Sequence, residues 1–78
     1  MLEQLRTKYQ VKWEQAEPGS VQEAALVAIT GALYETENVL DAKNTLHAYE
    51  IMSSPGEARE AYRSARLELE RAMRESEM

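Results

Sequence analysis

At 78 residues the chain is one domain at most, and a chain this short hides only roughly 60% of the surface it would expose unfolded. With no Cys and a single His, His47, it has neither a disulfide staple nor a soft-ligand metal clip to reinforce a small core, so no cofactor is expected and stability must come from helix packing or from a second chain. Its net charge of −5 repels phosphate backbones and anionic membranes, and no apolar run approaches the roughly 20 residues of a membrane span.

The opening Met1-Leu2-Glu3 lacks the basic-then-apolar pattern of a secretory leader, which makes a cytoplasmic setting the expectation. Leu2, Leu5, Tyr9, Trp13 and Ala16 then recur at helical spacing on one narrow face, predicting a first helix of about four turns. Glu17-Pro18-Gly19 ends it, because Pro18 lacks an amide donor and disfavours helical geometry at the residue before it. Ser20 with Glu23 reads as a capping box that starts a second helix at Val21.

No strong breaker follows before Ser53, so the second helix is expected to run for about thirty residues, roughly 45 Å. Thr36-Glu37-Asn38, a cluster of poor helix formers, is the place for a kink or short break if there is one. From Ala24 to Tyr34 this helix carries no charge on any face, and a helix apolar most of the way round is covered on several sides. Gly31 costs about 1 kcal/mol against Ala in mid-helix, and close approach of a second backbone is the expected compensation.

Ser54-Pro55-Gly56-Glu57 signals the third helix, with Ser54 capping, Pro55 at the first helical position and Glu57 closing a second capping box. Along it Ala58, Ala61, Tyr62, Ala65, Leu69, Ala72 and Met73 share one face, beside a stripe of Arg59, Arg63, Arg66 and Arg74 interrupted by Glu70. Short turns favour antiparallel packing of successive helices. The fold expected is a single all-α domain over residues 1–78: a three-helix antiparallel bundle with a long central helix, completed by oligomerisation.

Chemistry finds little purchase. Nucleophilic catalysis wants Ser or Cys beside a His held by a carboxylate, and the helical neighbours of His47, which are Lys43, Glu50 and Ile51, make no relay. Glu37 and Asp41 at i and i+4 suggest a paired-carboxylate site, but no second pair or Glu-x-x-His motif accompanies them. The arginine stripe can grip carboxylates on a partner or pair with Glu35, Glu37, Asp41 and Glu50 on the preceding helix, and the structural pairing is preferred. Tyr9 and Trp13 read as core anchors, with a dimer contact as the alternative.

The stretch His47-Ala48-Tyr49-Glu50-Ile51-Met52-Ser53-Ser54-Pro55, followed by Arg59 and Tyr62, resembles the segment joining the third and fourth helices of J-domain co-chaperones. In that family these are packing positions. The family's functional His-Pro-Asp tripeptide has no counterpart here, so the resemblance carries over no co-chaperone activity.

The expectation that remains is a non-enzymatic helical module that binds another protein or itself, with a homodimer favoured. Val27, Gly31 and Tyr34 on the far side of the second helix, and Arg59, Arg63, Arg66 and Arg74 on the third, are the candidate partner-binding residues. The alternative is a dimeric nucleic-acid-associated regulator in which paired arginine stripes face phosphate, against which the acidic total weighs.

Overall fold

The computed structural model describes residues 2–76, which form four helices: α1 (Leu2–Gln15), α2 (Val21–Glu35), α3 (Val39–Met52) and α4 (Glu57–Ser76). The all-helical class holds, with no strand among the described residues. The long central helix does not: it breaks at 36–38, so the expected three-helix bundle is corrected to four helices.

The break is stable because both of its ends are chemically satisfied. Asn38 caps α3, its side-chain oxygen accepting from the Asp41 amide at 2.8 Å while its own amide donates to the Asp41 carboxylate at 3.0 Å. On the other side, the Thr36 hydroxyl donates to the Ala32 carbonyl at 2.7 Å. Arg6 of α1 donates from Nε to the Leu33 carbonyl at 2.6 Å and from a terminal nitrogen to the Thr36 carbonyl at 2.7 Å. A guanidinium at a helix C-terminus also complements the macrodipole. A continuous rod of about 45 Å would overrun a molecule whose longest dimension is 39 Å. Folding it in two brings Ala42 and Leu46 of α3 into the same core as Ile29 and Leu33 of α2.

The Ser20 capping box forms as the sequence implies. The Glu23 amide donates to Ser20 Oγ and the Glu23 carboxylate accepts from the Gly19 amide, both at 3.0 Å. Gly19 has a φ of +81°, a conformation that favours glycine at this turn. The expected Ser54 box is displaced. Pro55 and Gly56 lie in the turn, α4 starts at Glu57, and its first backbone bond runs from the Glu60 amide to the Gly56 carbonyl at 3.1 Å.

The core is shared by all four helices: Leu5 and Tyr9 from α1, Ile29, Ala32 and Leu33 from α2, Ala42 and Leu46 from α3, and Ala65 and Leu69 from α4. The most extensive pairing in the molecule is α3 against α4; α4 also lies on α2, and α1 folds back on α2. α3 and α2 thus cover one side of α4, and the outer side of the α1–α2 pair stays partly exposed.

Candidate interaction surface

Charged side chains tie α4 to both α3 and α1. On the α3 side Glu50 is only 6% exposed and sits between two arginines, accepting from Arg66 Nε at 2.9 Å and Arg63 Nε at 3.2 Å. Arg66 also donates to Glu70, one turn along, at 3.0 Å. Hydrogen bonds from Arg66 dominate over the opposing effect of burial and, with those from Arg63 and both positive charges, hold the Glu50 carboxyl below its ordinary 4.5. Beside this network the Tyr49 and Tyr62 rings pack with centroids 5.6 Å apart.

On the α1 side Glu68 pairs with Lys8 and accepts from the Tyr9 hydroxyl at 2.5 Å. Burial alone would push Glu68 up, but the hydrogen bonds from Lys8 and Tyr9 and the charges of Lys8 and Lys12 together prevail, and it stands below the ordinary carboxylate value. Tyr9 moves the other way: burial, then its hydrogen bond to the Glu68 carboxylate, raises it well above 10.

The outer side of the α1–α2 pair carries no such network. Gln10, Trp13, Val27, Thr30, Gly31 and Tyr34 line a shallow groove of about 390 Å³ in which no residue is charged. Trp13 is 38% exposed, Val27 46% and Tyr34 52%. A Cβ placed on Gly31 would meet nothing within 4 Å, so the close backbone approach expected to compensate this glycine is not made within the chain. Thr30 is buried, and its hydroxyl has no partner among the described residues. Tyr34 is held at the groove's end by its own hydroxyl, which donates to Gln10 at 2.6 Å, and by Arg6, whose guanidinium carbon lies 5.5 Å from the ring centroid.

Of the residues proposed from sequence, Val27, Gly31 and Tyr34 come together in this groove. The arginine stripe does not act as one row: Arg63 and Arg66 turn to Glu50, Arg59 has its Nε buried without a partner among the described residues, and Arg74 is exposed near Leu67 and Arg71. Trp13 is corrected from core anchor to groove wall, while Tyr9 is buried as expected. The position of Trp13 in the last turn of α1, next to the Glu17-Pro18-Gly19 breaker, was the available signal. Glu37 and Asp41 do not share a helix face, because Glu37 lies in the break and Asp41 in the first turn of α3. No cluster of metal-ligating side chains occurs among the described residues, nor any helix long and apolar enough to cross a membrane. Comparison with protein-family models, curated proteins and solved structures returns no match for this chain.

Proposed function

We propose that this chain is a non-catalytic protein–protein interaction and assembly module, a homodimer that acts by seating a helix of another protein on its α1–α2 groove. The observation that carries the reading is the uncharged groove of Trp13, Val27, Gly31 and Tyr34 on a chain of net charge −5. Aromatic residues in a neutral depression are the kind of anchor that dominates binding energy when water is excluded. Gly31 beside them has open space above its backbone, the condition for a second helix to approach closely. An apolar, uncharged helix face fits this lining.

The alternative, paired arginine stripes gripping phosphate, has less support. Two of its four arginines already serve the buried Glu50, and releasing them would strand a carboxylate.

A photo-crosslinker in place of Tyr34 tests the reading in the cells that make the protein. The expected product is an adduct with another protein, formed from Tyr34 and Val27 but not from Lys43, and lost in the Gly31→Glu background. The same substitution must abolish binding of the purified partner. Gly31→Glu is the sharp variant because a Cβ there meets nothing within 4 Å and the added carboxylate puts a charge into an otherwise uncharged groove. Adducts only with copies of this chain, or an adduct indifferent to Gly31→Glu, contradict it.

A further inference from the structure

The exposed side of α4, which edges clefts against Gln22 and Leu26 of α2 and Gln4 and Leu5 of α1, carries an order of charges that no ion pair among the described residues explains. Glu57, Glu60, Ser64, Leu67, Arg71 and Arg74 follow one another at spacings of three, four, three, four and three residues, which sets them along one strip of the helix surface. All six are exposed, and Leu67 is 46% so. Along the stripe the order is two acids, a neutral centre, two bases.

The helix dipole favours acids early and bases late, but it acts on every face alike. Off the stripe the order is the reverse: Arg59, Arg63 and Arg66 come first, then Glu68, Glu70 and Glu75. Much of that reversed set is used inside the chain, Arg63 and Arg66 by Glu50, and Glu68 by Lys8 and Tyr9. Glu57, Glu60, Arg71 and Arg74 have no ion pair among the described residues. Neither the dipole nor the fold therefore accounts for the sorting.

A second copy running antiparallel does. Turning the stripe end for end about a two-fold axis sets Glu57 against the partner's Arg74, Glu60 against the partner's Arg71 and Ser64 against the partner's Leu67, and each pairing occurs twice. An isologous interface needs this property, in which residue i meets j and j meets i. A parallel pairing would oppose acids to acids and bases to bases. We infer that α4 is the homodimer face, pairing two copies antiparallel in the register that places Glu57 and Glu60 opposite Arg74 and Arg71.

This rests on the assembly half of the proposed function and is separate from the groove. A seam of six residues per copy with one Leu at its centre is smaller than a standard interface, so the dimer is concentration-dependent and weakens as salt screens its ion pairs. It leaves both α1–α2 grooves open, giving a bivalent particle.

Sedimentation equilibrium of the full chain over a concentration series tests it. The wild type should move from the 8.9 kDa monomer toward twice that mass. E57R/E60R alone and R71E/R74E alone turn every charged pairing repulsive and should each raise the dissociation constant by at least about tenfold. Their equimolar mixture should restore a dimer of wild-type affinity containing one of each. Circular dichroism checks that each variant keeps its helix; should a reversal melt it, R71Q/R74Q removes the charges with a good helix former and should still weaken the dimer. A wild-type dimer indifferent to the reversals but lost in Val27→Asp would place the second copy on the groove and overturn the α4 face while keeping assembly. A wild type that stays monomeric throughout overturns both, and leaves the groove to a different protein.

Discussion

The α3–α4 pair and the α1–α2 pair are built from similar helices and finished differently. Between α3 and α4 the chain supplies everything: Leu46 and Leu69 fully buried, Tyr49 against Tyr62, and Glu50 clamped by Arg63 and Arg66. Between α1 and α2 the inner side is closed by Leu5, Tyr9, Ile29 and Leu33, while the outer side stops at Trp13, Val27, Gly31 and Tyr34, half-covered. A buried carboxylate is costly unless paired, and Glu50 in the α3–α4 seam is paired with both Arg63 and Arg66. The groove is neutral and can be left open without stranding a charge.

That contrast can be broken at the closed seam first. Leu46→Ala removes a fully buried side chain at the junction of three helices and should cost about 2–5 kcal/mol, enough to unfold much of a domain this small, as urea titration would show. Glu50→Ala should also lower the urea midpoint, because Arg63 and Arg66 lose their shared partner. An unchanged midpoint would mean that packing alone holds α3 to α4.

Acid and base sharpen the same comparison. Glu50 and Glu68 stand below their ordinary 4.5 in the folded chain, so their stabilisation is complete above that pH and disappears as the pH falls through the lowered values. Tyr9 is raised, so its contribution is complete below pH 10 and is lost as the pH rises beyond it. Thermal midpoints should therefore fall at both extremes, and Glu50→Gln should blunt the acid limb. An acid limb unaffected by Glu50→Gln would assign it to other carboxylates.

Smaller effects are expected at the break and in the groove, and there the sign is informative. Asn38→Ala should destabilise by about 1 kcal/mol through loss of the α3 cap. Gly31→Ala should stabilise by about 0.5–1 kcal/mol, since the added methyl meets nothing and the mid-helix glycine penalty is removed. A destabilised Gly31→Ala would show that the backbone there is already crowded. Val27→Ser should change stability by less than about 0.5 kcal/mol, in contrast to Leu46→Ala, because one face is closed and the other is open.

The class of fold, the first helix, the Ser20 cap and the buried stripe of α4 were legible because each is local: a periodicity, a breaker, a capping pair. The break at 36–38 was harder. Thr36-Glu37-Asn38 read as weak helix formers, yet Asn38 followed three residues later by Asp41 is also a start signal, and its weight comes from Arg6, which reaches from another helix to the freed carbonyls. No window of sequence contains both. Ser54 misled for the opposite reason: a good local capping pattern lost to a turn through Pro55 and Gly56 that sets where α4 meets α3. Val27, Gly31 and Tyr34 could be placed together from helical spacing alone, but the wall that Trp13 adds depends on where α1 ends relative to α4. The sorted stripe on α4 was present in the sequence and becomes informative only once Glu50 and Glu68 show which charges are already paired.

Trp13, the only tryptophan, stands in the groove wall and reports on the open face directly. Acrylamide quenching of its fluorescence should show a partly accessible indole in the purified chain, unchanged from dilute monomer to concentrated dimer and sharply reduced by a bound partner helix. An indole shielded in the free monomer, or one that becomes shielded as the chain self-associates, would contradict a fold that closes one seam and leaves the other open for a different protein.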